Sequence, residues 1–328
     1  MTGPLISIVV PSFNQGQYIE ETIRSVLDQT YANVELIVID GGSTDETVNI
    51  IRKYESRIKY WVSEKDEGQT HAIVKGLAQC RGELFNWINS DDKLAEGALE
   101  KIAAAYVKND RPDLVAGNII MFDANGKRKL HPRINHHGNL PKTLGFGQMC
   151  QPGMFYKTEV VRKTGLNTAF HYSMDVELFF RFNMMLPSPK IVLIDETLAE
   201  FRLHESSKTI SEGSTAAGSK FFAERTGLFE QYAASFGDQE VLNKLKKLGY
   251  TGTKTPEKLN VHEGNHALFR DAVNYFIAQQ LIEATHVFDK KKIRNHFSAL
   301  RWFALDSELR RRIRKLLFGQ LTVKFRRK

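Results

Sequence analysis

Residues 86–92 read Asn86-Trp87-Ile88-Asn89-Ser90-Asp91-Asp92, an apolar run that stops at two adjacent carboxylates. Two anions this close repel, and one takes up a proton unless a cation lies near them. A divalent metal with hard oxygen ligands, Mg²⁺ or Mn²⁺, relieves the repulsion and takes its remaining ligands from water and phosphate. A solvated Asp-Asp turn capping the next helix explains the same residues, because Asp is a good helix cap. The Asp91/Asp92 pair alone leaves both readings open.

Carboxylates at the end of a strand need a sheet to hold them there. Over the first 120 residues, strand and helix signals alternate. Leu5–Val10 stops at Pro11, Val34–Ile39 stops at Asp40-Gly41-Gly42, and Ile58–Val62, Leu84–Ile88 and Leu114–Phe122 follow. Between them apolar residues recur at three- and four-residue spacing, as in Ile19, Ile23, Val26 and Leu27. Continuously apolar strands alternating with helices predict βαβ units and a mostly parallel sheet. Ligands of such sheets bind at the carboxyl ends of the strands. Residues 11–15, 40–45, 63–69 and 89–92 all fall there. From about 123 to 150 a polar stretch with His131, His136 and His137 reads as a loop over the site, its histidines solvated. A helix over 170–186 and a strand over 191–205 follow. Beyond 215 the pattern is helical, with amphipathic runs near 219–236, 264–284 and 291–317.

No G-x-G-x-x-G follows the first strand and no P-loop with Lys-Ser/Thr occurs, which argues against a dinucleotide oxidoreductase and a P-loop NTPase. Instead the chain carries Ile8-Val9-Val10-Pro11-Ser12-Phe13-Asn14, then Ile23-Arg24-Ser25-Val26-Leu27-Asp28-Gln29-Thr30-Tyr31, then Asp40-Gly41-Gly42-Ser43-Thr44-Asp45, then Asn89-Ser90-Asp91-Asp92. These blocks, in this order over roughly residues 5–210, resemble the family-2 glycosyltransferases of GT-A type. The resemblance implies an α/β, Rossmann-like, mostly parallel sheet sandwiched by helices, with a helical C-terminal extension. It further implies a catalytic domain over 1–215, with nucleotide-sugar binding in about 1–122 and the acceptor side in about 123–215, followed by an extension over 216–328.

The activity so implied is transfer of a sugar, with inversion, from a nucleotide-sugar donor such as a UDP-sugar to a hydroxyl of a saccharide or lipid-linked saccharide, in surface polysaccharide assembly. By resemblance Pro11, Asn14, Asp40 and Asp66 line the nucleoside pocket, and Gln69 and Lys75 belong to the second nucleotide block. Asp91 ligates the metal, Mn²⁺ or Mg²⁺, and Asp92 ligates it too or orients ribose and sugar. Such a metal neutralises charge on the departing nucleotide, a Lewis-acid contribution of several kcal/mol. Asn89 departs from the pattern, standing where many members have the first Asp of an Asp-x-Asp. In Tyr172-Ser173-Met174-Asp175-Val176-Glu177, Asp175 matches the catalytic base, opening a helix whose dipole favours the anion. Glu177 faces elsewhere. Gln151 is implied to touch diphosphate or acceptor, His204 to be a third metal or diphosphate ligand, and Ser207 and Lys208 to grip phosphate oxygens.

The net charge of +8 hides an asymmetry: residues 290–328 hold 14 Lys or Arg against Asp306 and Glu308, whereas the other 289 residues carry 32 basic and 36 acidic groups. In the tail, Leu305, Leu309, Ile313, Leu316 and Leu317 form an apolar stripe beside Arg310–Arg312, Arg314 and Lys315. Residues 305–328 thus read either as an interfacial helix on an anionic membrane or as a helix packed on the body. Nucleic acid is not expected, for want of an aromatic stacking platform. Cys80 and Cys150 form no CxxC and read as buried free thiols of a reducing compartment. With no basic leader and no apolar run near the roughly 18 residues a spanning helix needs, the expected location is cytoplasmic, peripheral on the inner face of the cell membrane. Two rivals stand beside this reading. A sugar-phosphate nucleotidyltransferase should show a Gly- and Lys/Arg-rich loop after the first strand, and a non-catalytic, membrane-attached nucleotide-sugar binding protein would not need Asp175.

Overall fold

The computed structural model describes residues 3–131, 138–147, 149–211, 219–250, 258–283 and 289–325, and the side chains of all these except 209 and 318–325. The chain runs β1 (Ile6–Ser12), α1 (Ile19–Leu27), β2 (Val34–Asp40), α2 (Thr47–Lys53), β3 (Tyr60–Ser63), α3 (Gln69–Gln79) and β4 (Leu84–Trp87). It continues with β5 (Lys93–Leu94), α4 (Ala98–Lys108), β6 (Leu114–Asp123), β7 (Arg128–His131), α5 (Leu140–Phe146) and β8 (Met154–Lys157). Then come α6 (Thr158–Thr164), α7 (Met174–Met185), β9 (Ile191–Leu203) and α8 (Lys208–Ser211). The C-terminal third holds α9 (Lys220–Ser235), α10 (Gln239–Lys247), α11 (His266–Glu283), α12 (Lys290–Ala299) and α13 (Ser307–Phe325).

Two compact units divide these elements. The first comprises Met1–Ile134, Met149–Phe182 and Ser188–Gly213, the second Asn135–Gln148, Asn183–Pro187 and Ser214–Lys328. The first is the expected α/β fold around one sheet of order β3-β2-β1-β4-β8-β6-β9-β5, with β7 added to β6. β3, β2, β1 and β4 run parallel, as do β6 and β9; β8 is antiparallel to both of its neighbours. All seven residues of β1 are buried, as a strand covered on both faces requires, and Ser7, the polar residue within its apolar run, donates to Glu35 Oε1. On one face Ile8, Val10 and Val38 meet Ile23 of α1 and Leu99 and Ile102 of α4. On another, Gly76 lets α3 lie directly against β1: a Cβ there would stand 2.4 Å from Val9 Cγ1. Register then aligns the strand ends. Ser12 pairs with Asp40, Asp40 with Ser63, and Val9 with Trp87, so the loops leaving β1, β2, β3 and β4 emerge side by side. Cys80 and Cys150 are free and buried, and burial pushes the Cys80 thiol up to about 12.

In the second unit α11 is buried over most of its length, with Phe269, Val273, Phe276, Ile277 and Leu281 inside. Phe229 of α9 packs on Phe276 with ring centroids 4.5 Å apart. Asp238 caps α10 and binds His266 and Arg270. Residues 140–146, expected in a loop, form a helix because Asn139 accepts from Lys142 N and Leu144 and Phe146 have a core to enter, Phe146 packing on Tyr275. The tail stripe is likewise inside: Leu305, Leu309 and Ile313 are at most 3% exposed in a cluster with Phe146, Tyr275, Ala278 and Leu281. Among the described residues no helix is long and apolar enough to cross a membrane.

Candidate active site

The loop after β2 is organised by Asp40, which is fully buried. Its Oδ2 accepts from Gly42 N at 3.1 Å, Ser43 N at 2.8 Å and Ser63 Oγ at 2.6 Å, and Oδ1 accepts from Ser43 Oγ. Asp40 therefore shapes the loop from beneath rather than presenting a bare carboxylate. The Asp66 carboxylate lies against Gly41, where a Cβ would come within 3.0 Å of Oδ2. Asp66 Oδ1 accepts from Gly68 N, a glycine at φ +113°. Asn14 joins the β1 and β2 loops: its N donates to Ser43 Oγ at 2.7 Å and its Oδ1 accepts from Thr44 N at 2.9 Å. It does so at φ +51°, a conformation Asn tolerates better than most residues. Pro11 is buried beneath, while Phe13 projects with 59% of its surface exposed. Asp45 closes the joint, accepting from Gly16 N and Thr47. Burial raises its carboxyl, and these bonds overcome that and hold it below the usual range.

The carboxylate pair divides its work. Asp92 is 1% exposed; its Oδ1 accepts from Arg202 N at 2.9 Å and its Oδ2 from Asn89 Nδ2 at 3.1 Å. Burial, then the neighbouring Asp91, push its carboxyl well above the usual range, an effect these two bonds and Arg202 only partly offset. Asp91 Oδ2 is 2.9 Å from His204 Nε2, and the Ser206 hydroxyl lies 2.8 Å from His204 Nδ1. Serine donating to Nδ1 leaves Nε2 to carry the proton shared with Asp91. Among the described residues no three His, Cys, Asp or Glu side chains gather as a metal cage. Two partly exposed ligands, Asp91 and His204, beside a buried carboxylate short of positive charge suit a divalent ion that draws its other ligands from phosphate and water.

Asn89 links this pair to the nucleotide blocks. Its Oδ1 accepts from Gln69 Nε2 at 2.6 Å, and Gln69 Oε1 accepts from Lys208 Nζ at 3.0 Å. Lys208 also donates to the His171 carbonyl and lies over the Tyr172 ring. An amide serves Gln69 as acceptor and Asp92 as donor at once, which an ionised carboxylate cannot, and this accounts for the departure from Asp at this position. Thr70, next to Gln69, donates to the Phe170 carbonyl at 2.6 Å and contacts Met174 Sδ at 2.9 Å, tying α3 to the start of α7. There Asp175 is half-buried, close enough for its charge to add to burial in raising the Cys150 and Tyr156 groups. Glu177 points inward to Arg181, at 2.9 and 2.6 Å, as a structural ion pair.

Other expected residues have internal partners. Lys75 pairs with Glu64 at 2.7 Å, Gln151 is buried with its amide donating to Asn86 Oδ1 and the Trp87 carbonyl, and Ser207 Oγ donates to the His204 carbonyl. His131 lies 2.8 Å from Cys150 Sγ; His136 and His137 lie outside the described residues. Two contributors were given no role from sequence. Arg202 bonds the Asp91 carbonyl and Asp92, pairs with Glu21 and stacks on Tyr18 and Phe122. Its position two residues before His204 was the available signal. Phe13 was recognisable as an aromatic in a strand-end loop where polar residues prevail.

A family model described as Glycosyl transferase family 2 matches residues 7–171. An uncharacterized glycosyltransferase of Rickettsia felis is 28% identical over 273 residues, 78% of this chain and 44% of that protein. A Bacillus subtilis protein named as a teichuronic acid biosynthesis glycosyltransferase, TuaG, is 40% identical over 101 residues, 30% of this chain and 40% of that protein. The chain thus spans about half the length, or less, of the first of its curated relatives. Among solved structures, TarS residues 1–349 of S. aureus with UDP-GlcNAc aligns at a TM-score of 0.58 and 18% identity, over 93% of this chain and 82% of that one. A mannosyltransferase of Pyrobaculum calidifontis, PcManGT, in complex with GDP-Man and Mn²⁺, aligns at 0.53 and 14%, over 99% and 88%. These two structural likenesses establish the fold.

Proposed function

The chain belongs to glycosyl transferase family 2, and from that premise we propose that it moves a sugar from a nucleotide-sugar donor, a UDP-sugar, to a hydroxyl of a saccharide or lipid-linked saccharide, with inversion, in polysaccharide assembly. The observation that carries this reading is the meeting of Asp91 with His204 at 2.9 Å beside buried Asp92, at the strand ends that also bear Asp40 and Asp66. The donor in the TarS complex and the biosynthetic name of TuaG support the substrate classes.

Phe13 offers an exposed ring on which the base stacks. Asp66 lies where Gly41 leaves room for close approach, and accepts hydrogen bonds from the nucleoside. Pro11, Asn14 and Asp40 fix the wall of that pocket. Lys208, set by Gln69 and the His171 carbonyl, meets the diphosphate as a cation. Lys75, Gln151 and Ser207 hold the surrounding loops. Asp91 and His204 would hold a divalent cation, Mn²⁺ or Mg²⁺, which when bound would supply charge neutralisation to the leaving diphosphate. Asp92 holds Asn89 and the Arg202 backbone and so orients Asp91.

At the start of α7, Asp175 takes the acceptor proton as the hydroxyl oxygen bonds to the anomeric carbon and the carbon–diphosphate bond breaks on the opposite face. The nucleotide departs with the electron pair. Asp175→Asn should abolish transfer while leaving donor binding intact, measured by calorimetry with UDP-sugars and by product formation. Unchanged turnover rejects the base assignment, and failure to bind any nucleotide sugar with or without Mn²⁺ rejects the donor class.

A further inference from the structure

We propose that the corner between α12 and α13, residues 297–303, docks the protein on an anionic lipid bilayer. Phe303 is 89% exposed and Phe297 42%; among the described residues of the second unit no other large apolar side chain is exposed. Phe297 lies 5.4 Å, centroid to centroid, from the Trp302 ring, which is half-buried against the core, so exposed Phe297 and Phe303 stand within seven positions of each other on either side of a ring that anchors the corner. The corner is held in shape. Asn274 of α11 donates to the Arg301 carbonyl at 3.1 Å and accepts from Arg301 N at 2.7 Å, fixing the turn that presents Phe303. An aromatic side chain kept in water by a rigid turn costs hydration free energy that an apolar contact would recover.

The surroundings choose the partner. Residues 290–315 hold ten Lys or Arg against two acids, Asp306 and Glu308. Asp306 is occupied by Lys142 and by capping Leu309 N. Lys290, Lys291, Arg294, Arg311, Arg312 and Lys315 are exposed, and none pairs with an acid among the described residues. Arg314 lies over the Trp302 ring at 5.4 Å, which brings the outer face of α13 to the same corner. Exposed aromatic rings at this corner, on two helices that carry exposed cations, are complementary to acyl chains beneath negative headgroups. A nucleic acid would need rings laid along a groove for successive bases, and this corner offers one small projecting cluster. The surface differs from the apolar stripe of α13, which is consumed in the core. It also stands apart from the sugar-transfer reading, since it uses none of those residues.

The test sediments the full chain with phosphatidylcholine vesicles, with or without phosphatidylglycerol. Binding should require phosphatidylglycerol and weaken with salt. Phe303→Ser should lower the partition coefficient about tenfold, and Lys291→Glu with Arg311→Glu by more than about 25-fold, at about fivefold per charge. Phe303→Trp should bind like the parent and shift its fluorescence to the blue on binding. Donor binding should be unchanged in all three variants. No binding to anionic vesicles, or binding that Phe303→Ser leaves intact, overturns the proposal. Equal affinity for an oligonucleotide, insensitive to Phe303, overturns it as well.

Discussion

Replacing Asn89 by aspartate probes the strand-end carboxylates most sharply, because it would restore the acid that the sequence pattern leads one to expect. Asn89 now gives Nδ2–H to Asp92 at 3.1 Å and takes a bond from Gln69 at 2.6 Å. Aspartate keeps the second contact and turns the first from donor to anion. Losing a hydrogen bond to a charged group costs roughly 1.5–3 kcal/mol. Two carboxylates about 4 Å apart repel by about 4 kcal/mol at an effective dielectric constant of 20. Asn89 is only half-buried, so rotation of the new carboxylate toward solvent relieves part of this. The expected loss without metal is about 3 kcal/mol. Urea unfolding of parent and variant, each in chelator and in Mn²⁺, measures it. The gap should be wide in chelator and shrink by more than half with Mn²⁺, as the cation offsets the added charge. Equal stability in chelator would refute the role given to the Asn89–Asp92 bond. A gap that Mn²⁺ leaves untouched would refute a cation at this position.

Gly76→Ala should destabilise the chain by about 1–3 kcal/mol, because the added methyl would lie 2.4 Å from Val9 Cγ1. Combining it with Val9→Ala should cost less than the sum of the two single changes in urea midpoints. Asp238, 1% exposed at its side chain, titrates at about 2 in the folded chain: burial raises it, but Arg270, Val241 N and His266 prevail. Its folded value lies below the unfolded one of about 4, so its stabilisation is present above pH 4 and is lost as pH falls toward 2. The parent should therefore lose about 2 kcal/mol across that window, and Asp238→Asn should remove that component from an acid-unfolding series.

Much of the first unit was legible because β1, β2, β4 and most of β6 are buried, so that largely apolar runs mark them. Val34–Asp40, Leu84–Trp87 and Leu114–Asp123 begin at the residues read from sequence and end within one of the expected limits. The strand-end loops were legible for the same reason. What sequence could not supply was orientation within the site. Asp40 and Gln151 are polar residues in the right loops, yet their hydrogen bonds run inward, and only the packed structure decides between a ligand and a brace. The amphipathic run over 291–317 breaks into two helices because Asn274, from another helix, takes both backbone groups of Arg301, and Asp306 then starts α13 by accepting from Leu309 N. No local pattern announces a contact that comes from residue 274. The burial of the tail stripe against Tyr275 and Phe146 was hidden in the same way.

The second unit is stitched from stretches far apart along the chain, and this dictates how it must be made. Phe146 shares its cluster with Ile313, about 170 residues later. At 5–20 residues per second, a ribosome takes roughly 10–30 s to deliver the second after the first. Until α11 is made, about 130 residues after Phe146, α5 lacks the Tyr275 ring on which Phe146 packs. The nascent chain must carry this apolar segment until α11 emerges and cannot complete the cluster until α13 does, which makes the first of these stretches the natural place for a chaperone to hold.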